Sequence, residues 1–344
     1  MSILDDILEN DNFDNDDDNE KKSPTDIEIP DTSEVVDPNK IVFAAKPVST
    51  KLKFSGDLIL VNNEYQYYST GNEKLVSIMT KNDEAGRSNF TAVDYDYTIL
   101  EQVYEPLAKM VDDWYSIYNN DTLIVYGSYR SNEFQQQLYD QFTANTAGDG
   151  EAPIVARPGF SEHETGYAFD FSETESYDYQ GEGDFQWLNQ NCHKYGFIIR
   201  YAEDKEDITE YRKEPWHFRY VGSPHAKYMT ENNLCLEEYI ELLRNAYHYS
   251  GEHLKIADEY GSPYEIYFYP SDDGEEYTNV PLPTGVKFDI SGNNVDGFIV
   301  TVHVNEKAEI GKENLSLTTS PYSSATTSAE ETSEVISTET TVAY

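Results

Sequence analysis

Apolar residues recur at helical spacing between Ile99 and Asn119, at Leu100, Val103, Leu107, Met110, Val111 and Trp114, which predicts an amphipathic helix. Pro106 inside it is a place for a bend. The short apolar run from Thr122 to Tyr126 predicts a buried strand, and the stretch SNEFQQQLYDQFTAN predicts a helix capped by Ser131 with Glu133 in its first turn. The run YAFDFSE alternates as a strand does, GDFQWLNQNCHKYG reads as a helix closed by Gly196, and FIIRY and EPWHFRYVG read as strands. Two short helices are predicted in SPHAKYMTENN and LEEYIELLRNAYH, followed by strands in YEIYFYP, VPLPTGVKFDIS and VDGFIVTVHV. Further upstream, LILVNN and YQYYST alternate loosely, like strands or like a loop packed on a core.

Helices and strands are thus mixed without the βαβ rhythm of a parallel sheet, which points to an α+β fold. The ends differ in kind from this middle. Residues 1–40 are rich in Asp, Glu and Asn and cannot bury enough apolar surface to offset chain entropy, so disorder is expected there. Residues 313–344 form a Ser/Thr-rich tail of low complexity, with the same expectation. Between them, residues 41–250 form the expected principal domain and residues 251–312 an appended β-rich segment.

Charge removes some classes of function. Lys and Arg total 24 against 65 Asp and Glu, a net charge of -41, and a chain so acidic repels nucleic acid. No run of about 18 apolar residues occurs, so no transmembrane span is expected. The first residues carry acids where an export signal carries positive charge, and no apolar core of a signal peptide follows. Cys192 and Cys235 lie in neither a CxxC nor a nucleophile pattern; one bridge and two buried thiols both remain open. Oligomeric state is not legible.

The seven His narrow the chemistry. His163 lies in SEHETGYAFDF with Asp170 seven positions on. On a helix the two would sit roughly 10 Å apart, too far to share an ion. A loop His, a turn allowed by Gly166 and a strand Asp can converge instead. His217 lies in the aromatic strand KEPWHFRY, with Glu214 three residues earlier and Pro215 holding Glu214 extended. Two His and one carboxylate are a common protein complement of a catalytic zinc, with a fourth position left for water. A Glu outside that set can move the water's proton.

Three segments carry a family resemblance. Ser161, His163, Gly166, Ala168 and Asp170 form SxHxxGxAxD, residues from Glu214 to Tyr220 form ExWHxRY, and GSYRSNEFQ carries Arg130, Ser131 and Gln135. Together they resemble the VanY-type D-alanyl-D-alanine carboxypeptidases, within the wider group of lysostaphin, D-Ala-D-Ala and hedgehog-type metallopeptidases. The resemblance covers roughly residues 60–246. One departure is the order Gly127, Ser128, Tyr129, where the family more often has Ser-Gly-Tyr.

The resemblance implies a small antiparallel sheet with a zinc cleft flanked by helices. It implies His163, Asp170 and His217 as ligands of Zn2+, Glu214 as catalytic base and then acid, and Arg130 as a catalytic and substrate-binding residue, with Gln135 and Ser161 assisting. Arg suits that place, since its planar fork matches a carboxylate in two hydrogen bonds. The implied reaction removes the terminal D-alanine from peptidoglycan stem peptides, in an extracellular or envelope location. The motifs serve equally for an L,D-carboxypeptidase on tetrapeptide stems. No residue marks a closed pocket for the amine of a free dipeptide, which disfavours a dipeptidase. A non-catalytic wall-binding protein would lack a ligand or the Glu, and this chain has both.

Overall fold

The computed structural model describes residues 41–69, 71, 73–146 and 155–308, so the two terminal segments expected to be disordered lie outside the described residues. In chain order the strands and helices are β1 (Phe43–Ser49), β2 (Leu75–Ser77), α1 (Ile78–Ala85), β3 (Thr91–Ala92), β4 (Thr98–Leu100) and α2 (Glu101–Tyr118). There follow β5 (Leu123–Gly127), α3 (Asn132–Thr146), β6 (Ala168–Glu173), α4 (Gln186–Asn191), β7 (Phe197–Tyr201), α5 (Glu206–Thr209) and β8 (Glu214–Tyr220). The last are α6 (Ser223–Glu231), α7 (Leu236–Ala246), β9 (Leu254–Ala257), β10 (Pro263–Pro270), β11 (Tyr277–Pro283), β12 (Val286–Gly292) and β13 (Gly297–Lys307).

A five-stranded sheet in the order β3-β5-β6-β8-β7 positions everything that follows. Its pairings are antiparallel except for β3, a two-residue strand parallel to β5, which the expected antiparallel sheet did not include. Because side chains alternate across a strand, the sheet has two chemically distinct faces. Phe169 and Phe171 of β6, Phe197 of β7 and Phe218 of β8 point to one face. There they share a core with Val103, Leu107, Met110, Val111 and Trp114 of α2, the residues whose spacing predicted that helix. Burying each such side chain stabilises the fold by about 1.5–3 kcal/mol. The opposite face carries Asp170, His217, Arg219 and Arg200, polar residues in strands otherwise apolar.

Local chemistry accounts for the element ends. Ser131 Oγ accepts a hydrogen bond from Phe134 N at 3.2 Å, the cap expected for α3. The segment 183–196 is less regular than a single helix: α4 is flanked by 3₁₀ turns at Gly183–Phe185 and Cys192–Tyr195, and Gly196 ends it in the left-handed region at φ 87°. LILVNN is a buried loop. Its backbone is satisfied at long range, with Leu60 N donating to Asn293 O (3.1 Å) and Asn294 Nδ2 donating to Leu60 O (2.8 Å).

The strands after residue 251 build a four-stranded sheet in the order β12-β13-β10-β9, and β11 pairs with β1. Ile266 of β10 and Ile299 of β13 share a core with Leu58 and Leu60 of the loop and with Leu236, Ile240 and Leu243 of α7. Cys192 and Cys235 are both buried and free. Among the described residues no helix is long and apolar enough to cross a membrane.

Candidate metal centre

Asp170 sits in the middle of the sheet, opposite Gly127 of β5 and opposite His217 of β8. A cross-strand pair places side chains on the same face and close together, and Asp170 Oδ1 lies 2.9 Å from His217 Nδ1. A Cβ on Gly127 would fall 2.1 Å from Asp170 Oδ2, so the carboxylate occupies space that only glycine leaves open.

His163 arrives from the other side. It belongs to a 3₁₀ turn, Glu162–Thr165, closed by Gly166 in the left-handed region at φ 74°, and the chain then reverses into β6. His163 Nε2 is thereby 3.1 Å from Asp170 Oδ2. Its Nδ1 is 2.9 Å from the carbonyl of Ser128; since a carbonyl only accepts, Nδ1 carries the proton and Nε2 is left for a ligand. The two imidazoles meet edge to face, 4.9 Å between centroids. One donor atom from each of His163, Asp170 and His217 lies within 4.8 Å of the others, the only such group among the described residues.

Burial raises the pKa of Asp170, but the two imidazoles outweigh it and hold the carboxyl well below its usual range. Burial, then Arg130, pulls His163 down to about 4, so it is neutral at pH 7. In the metal-free protein His217 goes the other way: burial lowers it, but hydrogen bonds to Asp170 and Glu162 push it up to about 9. Two buried imidazoles and a partly buried carboxylate, converging, with each ring's remote nitrogen already engaged, fit a three-ligand zinc centre.

Glu214 approaches the same point. On a regular strand residues three apart face opposite ways, yet Glu214 Oε2 lies 3.9 Å from His217 Nδ1. The cause is an irregularity: Ile199 pairs with Phe218 and Tyr201 with Glu214, so β8 spends four residues where β7 spends two. Asn189 Nδ2 donates to Pro215 O (2.8 Å) and satisfies the carbonyl freed by the bulge. Burial above all, with Asp170 nearby, pushes Glu214 up to about 7 against the pull of His217.

Arg130 is tied to the site through its backbone, its N–H donating to His163 O at 3.1 Å. Its Nη2 stands 3.6 Å from Asp170 Oδ2, and its Nη1 donates to Gln135 Oε1 at 3.5 Å. Gln135 is fully buried and donates from Nε2 to Ala156 O (2.8 Å), so it braces Arg130. Ser161 is buried at the start of the 3₁₀ turn that carries His163.

Sequence reasoning missed Glu162, Arg200 and Arg219, which lie buried beneath His217. A signal was present: FIIRY and WHFRY each place one Arg on the polar face of an otherwise apolar buried strand, and such an Arg needs an acid. The remaining His lie elsewhere. His225 contacts Tyr239 and Thr301, His253 contacts Glu265, and His303 contacts Asp289 and Glu306.

A His-Asp-His group with both imidazoles buried, flanked by a carboxylate of raised pKa and a guanidinium, is an arrangement suited to a hydrolase centre. A family model described as VanY, D-alanyl-D-alanine carboxypeptidase, matches residues 98–223. The D-alanyl-D-alanine carboxypeptidase of Enterococcus faecium is 32% identical over 259 residues, 75% of this chain and 78% of that protein. The bifunctional D-Ala-D-Ala dipeptidase and D-Ala-D-Ala carboxypeptidase VanXYC of Enterococcus gallinarum is 36% identical over 122 residues, 33% of this chain and 64% of that protein. The crystal structure of the vancomycin resistance D,D-dipeptidase VanXYg with a D-Ala-D-Ala phosphinate analogue superposes with a TM-score of 0.65 at 30% identity, over 76% of this chain and 99% of that one. The chain belongs to the VanY-type D-alanyl-D-alanine carboxypeptidase family and is a carboxypeptidase.

Proposed function

We propose that this carboxypeptidase uses zinc to release the terminal D-alanine from peptidoglycan stem peptides. The observation that carries the reading is the convergence of His163 Nε2, Asp170 and His217 Nδ1, with Glu214 3.9 Å from that same Nδ1. His163, Asp170 and His217 would hold the ion. When bound, zinc supplies Lewis acidity that polarises the scissile carbonyl and acidifies the attacking water.

The chain's own groups do the rest. Glu214 takes the proton of the attacking water and passes it to the departing amine of D-alanine, a task suited to a carboxylate whose pKa burial has raised to about 7. Arg130, braced by Gln135, offers its guanidinium to an oxygen of the substrate, and the backbone carbonyl of Ser161 accepts from Glu164 N (3.1 Å) in the turn that presents His163. A substrate in the cell wall sets the expected place of action outside the membrane or in the envelope.

A second reading, cleavage of free D-Ala-D-Ala, is favoured by the similarity to VanXYg along 99% of that chain. Purified protein should contain or bind one zinc, and should release D-alanine from a pentapeptide stem in a chelator-sensitive way. Release from the dipeptide alone would select the second reading, and release only from a tetrapeptide stem would select L,D-cleavage. A metal-free protein inert toward all three would overturn the enzymatic reading in favour of wall binding.

A further inference from the structure

We infer that Glu162 is the positioning residue of the metal centre, fixing the tautomer and ring orientation of His217; this rests on the zinc reading above. Glu162 is 1% exposed and divides its two oxygens between different tasks. Oε1 accepts from Arg200 Nε at 2.8 Å and from Arg219 Nη1 at 2.6 Å. Oε2 lies 3.3 Å from His217 Nε2. The two nitrogens of an imidazole project from opposite sides of the ring. With Nε2–H given to Glu162, Nδ1 is the nitrogen left to serve as a ligand, 2.9 Å from Asp170 Oδ1 on the side of His163.

The surroundings are built to keep that carboxylate ionised and still. Arg200 passes its remaining nitrogens to Glu237, Nη1 at 2.8 Å and Nη2 at 2.6 Å. Arg219 donates from Nη2 to Asp57 O (3.0 Å) and Ile59 O (2.9 Å), and from Nε to Tyr220 O (3.1 Å). Two Arg and two Glu thus balance, with the guanidinium groups spent on fixed partners. Apolar packing at such a place is commonly as stable as a buried ion network. One oxygen of Glu162 serves both guanidinium groups, and the other is aimed at a proposed ligand.

The two His are held differently as a result. His163 leans on a neutral carbonyl, His217 on a carboxylate. A carboxylate behind an imidazole fixes its tautomer and makes it the more strongly donating ligand. Glu162 lies beside Nε2, on the far side of the ring from Asp170, so it acts through His217 and is no ligand itself.

The test is made on the full chain. Zn2+ affinity by competition with a chromophoric chelator, and the visible absorption of the Co2+ form, are compared between wild type and Glu162→Gln. Glu162→Gln should bind zinc about 10–100-fold more weakly, with a shifted Co2+ band and a larger loss in kcat than in KM. Unchanged zinc affinity together with an unchanged Co2+ spectrum overturns the inference. Should Glu162→Gln fail to fold, long-range ¹H–¹⁵N spectra of zinc-loaded wild type decide: a slowly exchanging His217 Nε2–H supports the role, and an Nδ1–H tautomer overturns it. A wild type that binds no zinc refutes the function proposed above, a result distinguishable from failure of the Glu162 role.

Discussion

Glu214 Oε2 lies 3.9 Å from His217 Nδ1, although the two residues are three apart on one strand. The strand is irregular between them, strict alternation fails, and both side chains reach the same side. Glu214→Ala should therefore keep zinc and lose activity, by about 10²–10⁴-fold in kcat. Metal analysis and a D-alanine release assay on the same sample check both halves. Cleavage at the wild-type rate would show that Glu214 moves no proton.

The same residue sets an acid limit on the rate. A base must be ionised, and burial has pushed Glu214 up to about 7 in the metal-free protein. A bound cation stabilises the carboxylate and moves this value lower. The kcat/KM of the loaded enzyme should thus fall on acidification through an apparent pKa below 7, and stay flat just above it. A rate that rises as pH drops from 7 to 5 would contradict the assignment.

Gly127 tests the packing around Asp170. A Cβ there would lie 2.1 Å from Asp170 Oδ2, and side-chain rotation has little room in a buried sheet. Gly127→Ala should turn the carboxylate away, weaken zinc binding at least about tenfold and cost about 1–3 kcal/mol of stability through overpacking. Zinc titration and chemical denaturation measure the two effects. Full zinc affinity in a folded Gly127→Ala protein would show that Asp170 keeps its place with a Cβ opposite it, and that glycine is not needed there.

Much of this centre was legible in the chain because its signals are local. His163 with Asp170 flanks a glycine turn, Glu214 precedes His217 by three residues, and α2 declares itself by its apolar spacing. What stayed hidden depends on distant partners. The irregularity near Glu214 arises from how β8 pairs with β7, and Pro215, which cannot donate to a ladder, is its one local trace in EPWHFRY. Glu162 becomes meaningful only once Arg200 and Arg219, 38 and 57 residues away, close over it. The run LILVNN looks strand-like because Leu58 to Val61 are buried, but Leu60 bonds to Asn293 and Asn294, far along the chain, and not to a neighbouring strand.

Arg130 is expected to act on substrate and to leave the metal alone. Its Nη2 is 3.6 Å from Asp170, a contact too long to define a ligand geometry, while Gln135 braces the other nitrogen. Arg130→Ala should lower kcat/KM by about 10²–10³-fold, as removal of one stabilising donor does elsewhere. Arg130→Lys should recover part of this, since it restores charge and not the fork. Zinc content should match wild type in both, measured on the assayed samples. Loss of metal in Arg130→Lys would reassign the residue to holding Asp170.

His225 gives the fold an acid sensitivity remote from the catalytic centre. It is buried, with Nδ1 2.8 Å from the Tyr239 hydroxyl and Nε2 3.0 Å from Thr301 Oγ1. Burial, with His303 adding to it against the pull of Asp289, lowers its pKa to about 3. An unfolded His titrates near 6.5, so below that pH the unfolded chain takes up a proton that the folded one refuses. Stability from this group is complete above about 6.5 and drains away as pH falls toward 3. Between pH 7 and pH 5 the loss is about 2 kcal/mol by linkage. His225→Gln can keep one hydrogen bond and cannot take up the proton. In chelator-treated protein, chemical denaturation at the two pH values should show a loss about 2 kcal/mol smaller for the variant than for wild type. Equal losses in both would mean that His225 is protonated without cost in the fold, and that its burial is not what resists acid.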